Sequence, residues 1–167
     1  MLFRSTITDR YTDIERICAS IKNIALLHNH VVIVDGIAIV GANCWYSVSK
    51  SGNMIVEIEK EIQRNEDILY LQNTIGRLQL HLDVKKVIIV TNSVPGNPLF
   101  FGEIPIESVG HVEPREALSS DMENKVSHWV YGTYDKHVDT IIDDINYVNN
   151  SYYKIDPYWA KRIDVEI

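Results

Sequence analysis

The sequence predicts an α/β fold: one domain, residues 1–167, built on a mixed sheet with flanking helices. Three observations carry that expectation. Two stretches repeat apolar residues at helical spacing. Two runs, Val87–Val90 and Val126–Tyr131, have the character of buried strands. The pairs Asp35-Gly36 and Asp143-Asp144 each separate two apolar segments in the manner of hairpin turns.

The first helix is predicted over Asp13–Leu26. Thr12-Asp13-Ile14-Glu15 has the form of a capping box, and Ile14, Ile17, Cys18, Ile21, Ile24 and Ala25 make one apolar stripe behind it. Val31–Val34 and Ile37–Ala42 follow as a β-hairpin. Ser49–Asn53 is a loop by composition, and a long helix is predicted over Val56–Leu82, with Ile68, Leu71, Ile75, Leu78 and Leu82 stepping by three and four. Glu57, Glu59, Lys60, Glu61, Arg64, Glu66 and Asp67 crowd its first half, as a solvated face or an acidic docking surface. Val87–Val90, all β-branched, predicts a strand covered on both faces. Val94-Pro95-Gly96-Asn97-Pro98 opens a loop that lasts to Pro114. A short helix over Arg115–Asn124, a strand over Val126–Tyr131, a hairpin from His137–Ile142 and Ile145–Val148, and a terminal strand over Lys161–Ile167 complete the expected order.

Composition narrows the function. Sixteen Lys and Arg against 23 Asp and Glu give a formal net charge of −7, so no independent nucleic-acid binding is expected, since that needs a basic footprint. A protein partner, or a small ligand held by local groups, fits better. After Met1-Leu2-Phe3-Arg4 the chain turns polar without an apolar signal region, and its apolar runs fall far short of the ~20 residues that span a bilayer. Cys18 and Cys44 sit in apolar patterns and read as free thiols. The expectation is a soluble, cytoplasmic protein with no membrane contact.

Four segments resemble, in order, the C-terminal part of the calcineurin-like metallophosphoesterases. Ile37–Trp45 is similar to the family's strand ending in Gly-Ala/Thr-x-x-Trp. Val87–Pro95 is similar to its apolar strand followed by Thr-His-His-x-Pro. Trp129–Asp135 resembles Trp-x-x-Gly-His-Thr-His, and Tyr147–Tyr153 resembles its closing apolar-Asn-Pro-x-Gly-Tyr stretch. The resemblance implies a truncated metallophosphoesterase sandwich. It also implies a lost metal centre, because a two-metal site needs anionic or imidazole ligands to clamp phosphate and activate water. Asn92 and Ser93 stand at the family's strand-end His positions, and Thr133 and Asp135 replace the two His of Gly-His-x-His. The eleven residues before Thr12 carry none of the family's earlier Asp-x-His, Gly-Asp-x-x-Asp or Gly-Asn-His-Glu/Asp motifs. No cofactor and no catalytic residue are expected. Asp135 and His137 are the possible vestigial ligands, and they would hold a single divalent ion only if Asn92 or His128 converged on them.

Other residues leave alternatives open. His28-Asn29-His30 is a half-site for metal or a polar turn into a strand. Cys44 is a nucleophile or a strand-end core residue. Leu99, Phe100 and Phe101 form a partner-binding loop or ordinary packing. Tyr152, Tyr153, Tyr158 and Trp159 are interface anchors or the lid of a core edge. Loss of the family's neighbouring strands would bare an edge and an apolar face, so a homo-oligomer or a tight hetero-complex is expected.

The leading expectation is a catalytically inactive, metallophosphoesterase-like binding protein, a pseudoenzyme. Size, acidity and richness in Ile, Asn, Asp, Tyr and Val also resemble the host shut-off factors of T-even phages, of the Alc type. That likeness implies a phage-encoded regulator acting in the host cytoplasm on host RNA polymerase. The alternatives are a metal-dependent phosphodiesterase completed by another chain, or a structural subunit of an assembly.

Overall fold

The computed structural model describes residues 3–43, 54–92, 112, 114, 118–132, 138–149 and 164–165. Its elements run α1 (Phe3–Ser20), β1 (His30–Val34), β2 (Ile37–Ala42), α2 (Met54–Leu80), β3 (Lys86–Thr91), β4 (Val126–Tyr131), β5 (Val138–Ile142) and β6 (Ile145–Asn149). Among the described residues the strands form one six-stranded sheet, ordered β1-β2-β3-β4-β6-β5. β2, β3, β4 and β6 are mutually parallel, and β1 and β5 close the edges antiparallel to β2 and β6. The expected α/β class with a mixed sheet is what the chain adopts.

Both hairpins form where the sequence places them. Val34 pairs with Ile37 across Asp35 and Gly36, at φ 50° and 81°; Ile142 pairs with Ile145 across Asp143 and Asp144, at φ 50° and 64°. Two successive positive φ values define the tight turn whose twist matches that of the strands it joins. The β-branched run Val87–Val90 lies inside β3, next to β2 and β4. Its burial alternates, however: Val87 and Ile89 are buried, whereas Ile88 and Val90 are only half-buried. The expectation of complete cover on both faces is corrected to one sealed face.

α2 seals that face. Leu71, Ile75 and Leu78 pack with Ala38, Val40 and Ala42 of β2 and with Val87 and Ile89 of β3. Trp129, Tyr131, Ile145 and Tyr147 extend the same layer, and Trp129 stacks on Tyr147 with ring centroids 6.1 Å apart and planes 19° apart. Side chains alternate across a strand, so this single face collects nearly every buried residue. At the amino edge of the sheet a buried amide, Gln79, ties α2 to the entry of β4. Its Nε2 donates to the Pro114 carbonyl (2.9 Å) and to Asn124 Oδ1 (2.6 Å), while Oε1 accepts from the Lys125 N–H (2.8 Å).

Four expectations need correction. α1 begins at Phe3, not Asp13, so Thr12 lies within the helix and not at its amino end. It ends at Ser20, short of Leu26, because the Ser20 hydroxyl donates to the Ile17 carbonyl (2.7 Å), the Ile21 N–H closes a tight turn on Cys18 O (3.1 Å), and Asn23 turns left-handed at φ 71°. Its apolar stripe does not enter the core: Ile14, Ile17, Ile21 and Ile24 stay exposed. Residues 118–124 form turns instead of a helix, because Asn124 Oδ1 accepts from the Val126 N–H (3.0 Å) and so spends its amide on the strand entry. Asp164 and Val165 are not in a strand. No described helix is long and apolar enough to cross a membrane.

Candidate functional site

In an open parallel sheet, ligands bind outside the carboxyl ends of the strands, where the chain leaves one layer for the next. Here that edge is built from Asn43 after β2, Thr91 and Asn92 at the end of β3, Tyr131 and Gly132 at the end of β4, and Asn149 closing β6. Backbone hydrogen bonds carry the ladder past the strands. The Asn92 N–H donates to the Asn43 carbonyl (3.1 Å), and the Gly132 N–H donates to the Thr91 carbonyl (3.2 Å). A Cβ built on Gly132 would lie 3.2 Å from the Asn92 carbonyl and 3.4 Å from Asn92 Oδ1, so the Asn92 amide sits against the chain as it leaves β4. Behind them, buried Thr91 accepts a hydrogen bond from Trp129 Nε1 (2.9 Å), which fixes the indole beneath the edge.

A carboxylate backs the same edge. Asp67 of α2 is fully buried. From Asp67 to Leu80 is about 20 Å of helix, the span of a six-residue strand, which brings Asp67 level with the strand ends. Its Oδ1 accepts from Asn29 Nδ2 (3.0 Å) and Gln63 Nε2 (3.1 Å). A buried carboxylate is tolerated only with such donors. Asn29, at φ 46°, holds the loop before β1 over this end of β2. That loop lies so close that a Cβ on Gly41 would run into the carbonyl and side chain of Leu27. One turn along α2, burial pushes the Tyr70 hydroxyl's pKa up, against smaller opposing effects of Thr74 and Arg77. At the opposite edge, the exposed Asp121 carboxyl is held below its ordinary value by the Ser119 hydroxyl.

Of the residues singled out from sequence, Asn92 is placed at the edge. Ser93, Thr133, Asp135 and His137 lie outside the described residues, as do Cys44, Leu99, Phe100, Phe101, Tyr152, Tyr153, Tyr158 and Trp159. His128 does not approach Asn92. It pairs with Ile88 in mid-sheet, three residues or about 10 Å back from the strand end, and its Nδ1 lies 3.0 Å from Ser127 Oγ. In His28-Asn29-His30 the central Asn donates to Asp67, and His30 is exposed at the start of β1. Among the described residues no group of three His, Cys, Asp or Glu side chains is placed to share a metal ion.

The pairing of Asp67 with Asn29 is not among the sequence expectations. Asp67 belongs to the charge run read as a solvated face or an acidic docking surface, yet it stands in helical phase with Leu71, Ile75 and Leu78, and that phase is the signal of its burial. Chemically, the edge carries amide side chains anchored on strand ends, backed by the buried Asp67 carboxylate. Comparison with protein-family models, with curated proteins and with solved structures finds no match.

Proposed function

We propose that the protein is a catalytically inactive binding protein on a metallophosphoesterase-like scaffold, with the carboxyl edge of its sheet as the contact surface. The observation that carries this reading is the rim one step past β2, β3 and β4, where the half-buried amides Asn43 and Asn92 stand beside Gly132. Amides recognise polar groups by donating and accepting hydrogen bonds. They are poor ligands for a pair of divalent cations, which the related hydrolytic chemistry requires.

A net charge of −7 suits a basic protein surface better than a phosphate backbone. Host RNA polymerase is the first partner to test, in keeping with a phage regulator that shuts off host transcription. Purified bacterial RNA polymerase should be retained on the immobilised protein, and Asn92→Arg, which puts bulk and charge on the edge, should abolish retention. The phosphodiesterase reading makes the opposite forecast. Manganese-dependent hydrolysis of bis(p-nitrophenyl) phosphate, lost in Asp135→Ala, would overturn the proposal, as would two equivalents of metal per chain by elemental analysis.

A further inference from the structure

The two outer strands of the sheet are not equivalent. β5 carries Asp139 and turns on Asp143-Asp144, charges that deter the addition of another strand. β1, His-Val-Val-Ile-Val, contains no Asp, Glu, Lys, Arg or Pro, and its Ile33 and Val34 are 48% and 53% exposed. The hairpin also fixes which backbone groups of β1 face outward. A two-residue turn makes Val34 and Ile37 a hydrogen-bonded pair, and the alternation of an antiparallel ladder makes Val32–Ile39 and His30–Gly41 the next ones. The N–H and C=O of Val31 and Ile33 therefore point away from β2.

We propose that β1 pairs antiparallel with β1 of a second copy of this chain, about a two-fold axis at Val32, so that one sheet runs through both subunits. The register is self-complementary. Val31 of each copy exchanges N–H···O=C bonds with Ile33 of the other, which uses all the outward groups of both residues. Val32 faces Val32 as the close, non-hydrogen-bonded pair on the axis, and His30 faces Val34. The charges at the ends agree with this alignment. Asp35 comes opposite Asn29 and diagonal to His30 of the second copy, so an acid meets an amide and an imidazole instead of another acid. Such an interface is isologous and closes on itself, giving a dimer and not a fibre. It is independent of what the carboxyl edge binds.

Light scattering coupled to gel filtration, with the full chain at micromolar concentration, should give twice the 19.2 kDa chain mass. Ile33→Pro removes an outward N–H without touching the ladder to β2, and should give a monomer with an unchanged far-ultraviolet circular dichroism spectrum. Position-specific cross-linking provides a second readout. With Cys18 and Cys44 replaced by Ser, Val32→Cys should oxidise to a covalent dimer, because opposed Cα atoms about 4.5 Å apart lie within disulfide reach. Val34→Cys, whose partner is His30, should not. A monomeric parent chain, a dimer indifferent to Ile33→Pro, or cross-linking that favours position 34 would overturn the pairing.

Discussion

The two ends of the sheet use the same side chains to opposite purpose. At the amino edge Gln79 is buried with both ends of its amide engaged, and around it the Lys125 ammonium donates to the His81 carbonyl (2.7 Å) and the Val87 N–H to the Lys125 carbonyl (2.8 Å). These bonds knit the end of α2, the approach to β4 and the start of β3 into one unit. At the carboxyl edge each neighbouring pair of strand ends, β2 with β3 and β3 with β4, is joined by one backbone bond, and Asn43 and Asn92 remain half-buried at the surface. Amides consumed internally confer stability. The amides at the carboxyl rim instead keep part of their surface in contact with solvent.

Substitutions can break this contrast, and the largest effect is expected at the amino edge. Gln79→Ala deletes three hydrogen bonds, two of them buried, and strands their partners, at a cost of about 3 kcal/mol. Denaturant unfolding should show that loss, while retention of a partner at the carboxyl edge persists below the new midpoint. Gly41→Ala comes next, at about 2 kcal/mol, because the added methyl meets the Leu27 backbone, which cannot move aside as a flexible side chain would. Asp67→Ala leaves the Asn29 and Gln63 amides without their acceptor, for about 1.5 kcal/mol. It should weaken partner retention more than Gln79→Ala does, since it loosens the loop over the edge; equal retention in the two variants would erase the distinction. The smallest effect has the opposite sign. Asp144→Gly relieves a non-glycine residue at φ 64° and should stabilise the chain by about 0.5 kcal/mol, read as a higher thermal midpoint.

What was legible in the sequence was local. Asp35-Gly36 and Asp143-Asp144 specify turns through the φ values their own residues accept, and β-branched Val87–Val90 specifies a strand through its own side chains. Thr12 misled for the same reason. A capping box is a signal four residues wide, and it is silent on whether the preceding residues are already helical. Asp67 and Gln79 were illegible because their roles depend on distant partners, Asn29 38 residues away and Lys125 46 residues away. A carboxylate among other charges looks solvated until the loop that covers it is in place. For Asn92, the resemblance drew attention to the position, and the sheet register then brought it beside Gly132.

The order of the strands constrains how the chain assembles during synthesis. β1 and β2 are joined by two residues, so their hairpin can close within microseconds, as soon as both have left the ribosome. β6 lies between β4 and β5 although it is made last, so the chain must pass its slot and turn back at Asp143-Asp144 to fill it. The final hairpin therefore docks as a preformed ribbon onto an existing nucleus of β2, α2, β3 and β4. Before it docks, β4 lacks its β6 neighbour and Trp129 lacks the Tyr147 ring that covers it, the kind of exposed edge and apolar surface that favours aggregation.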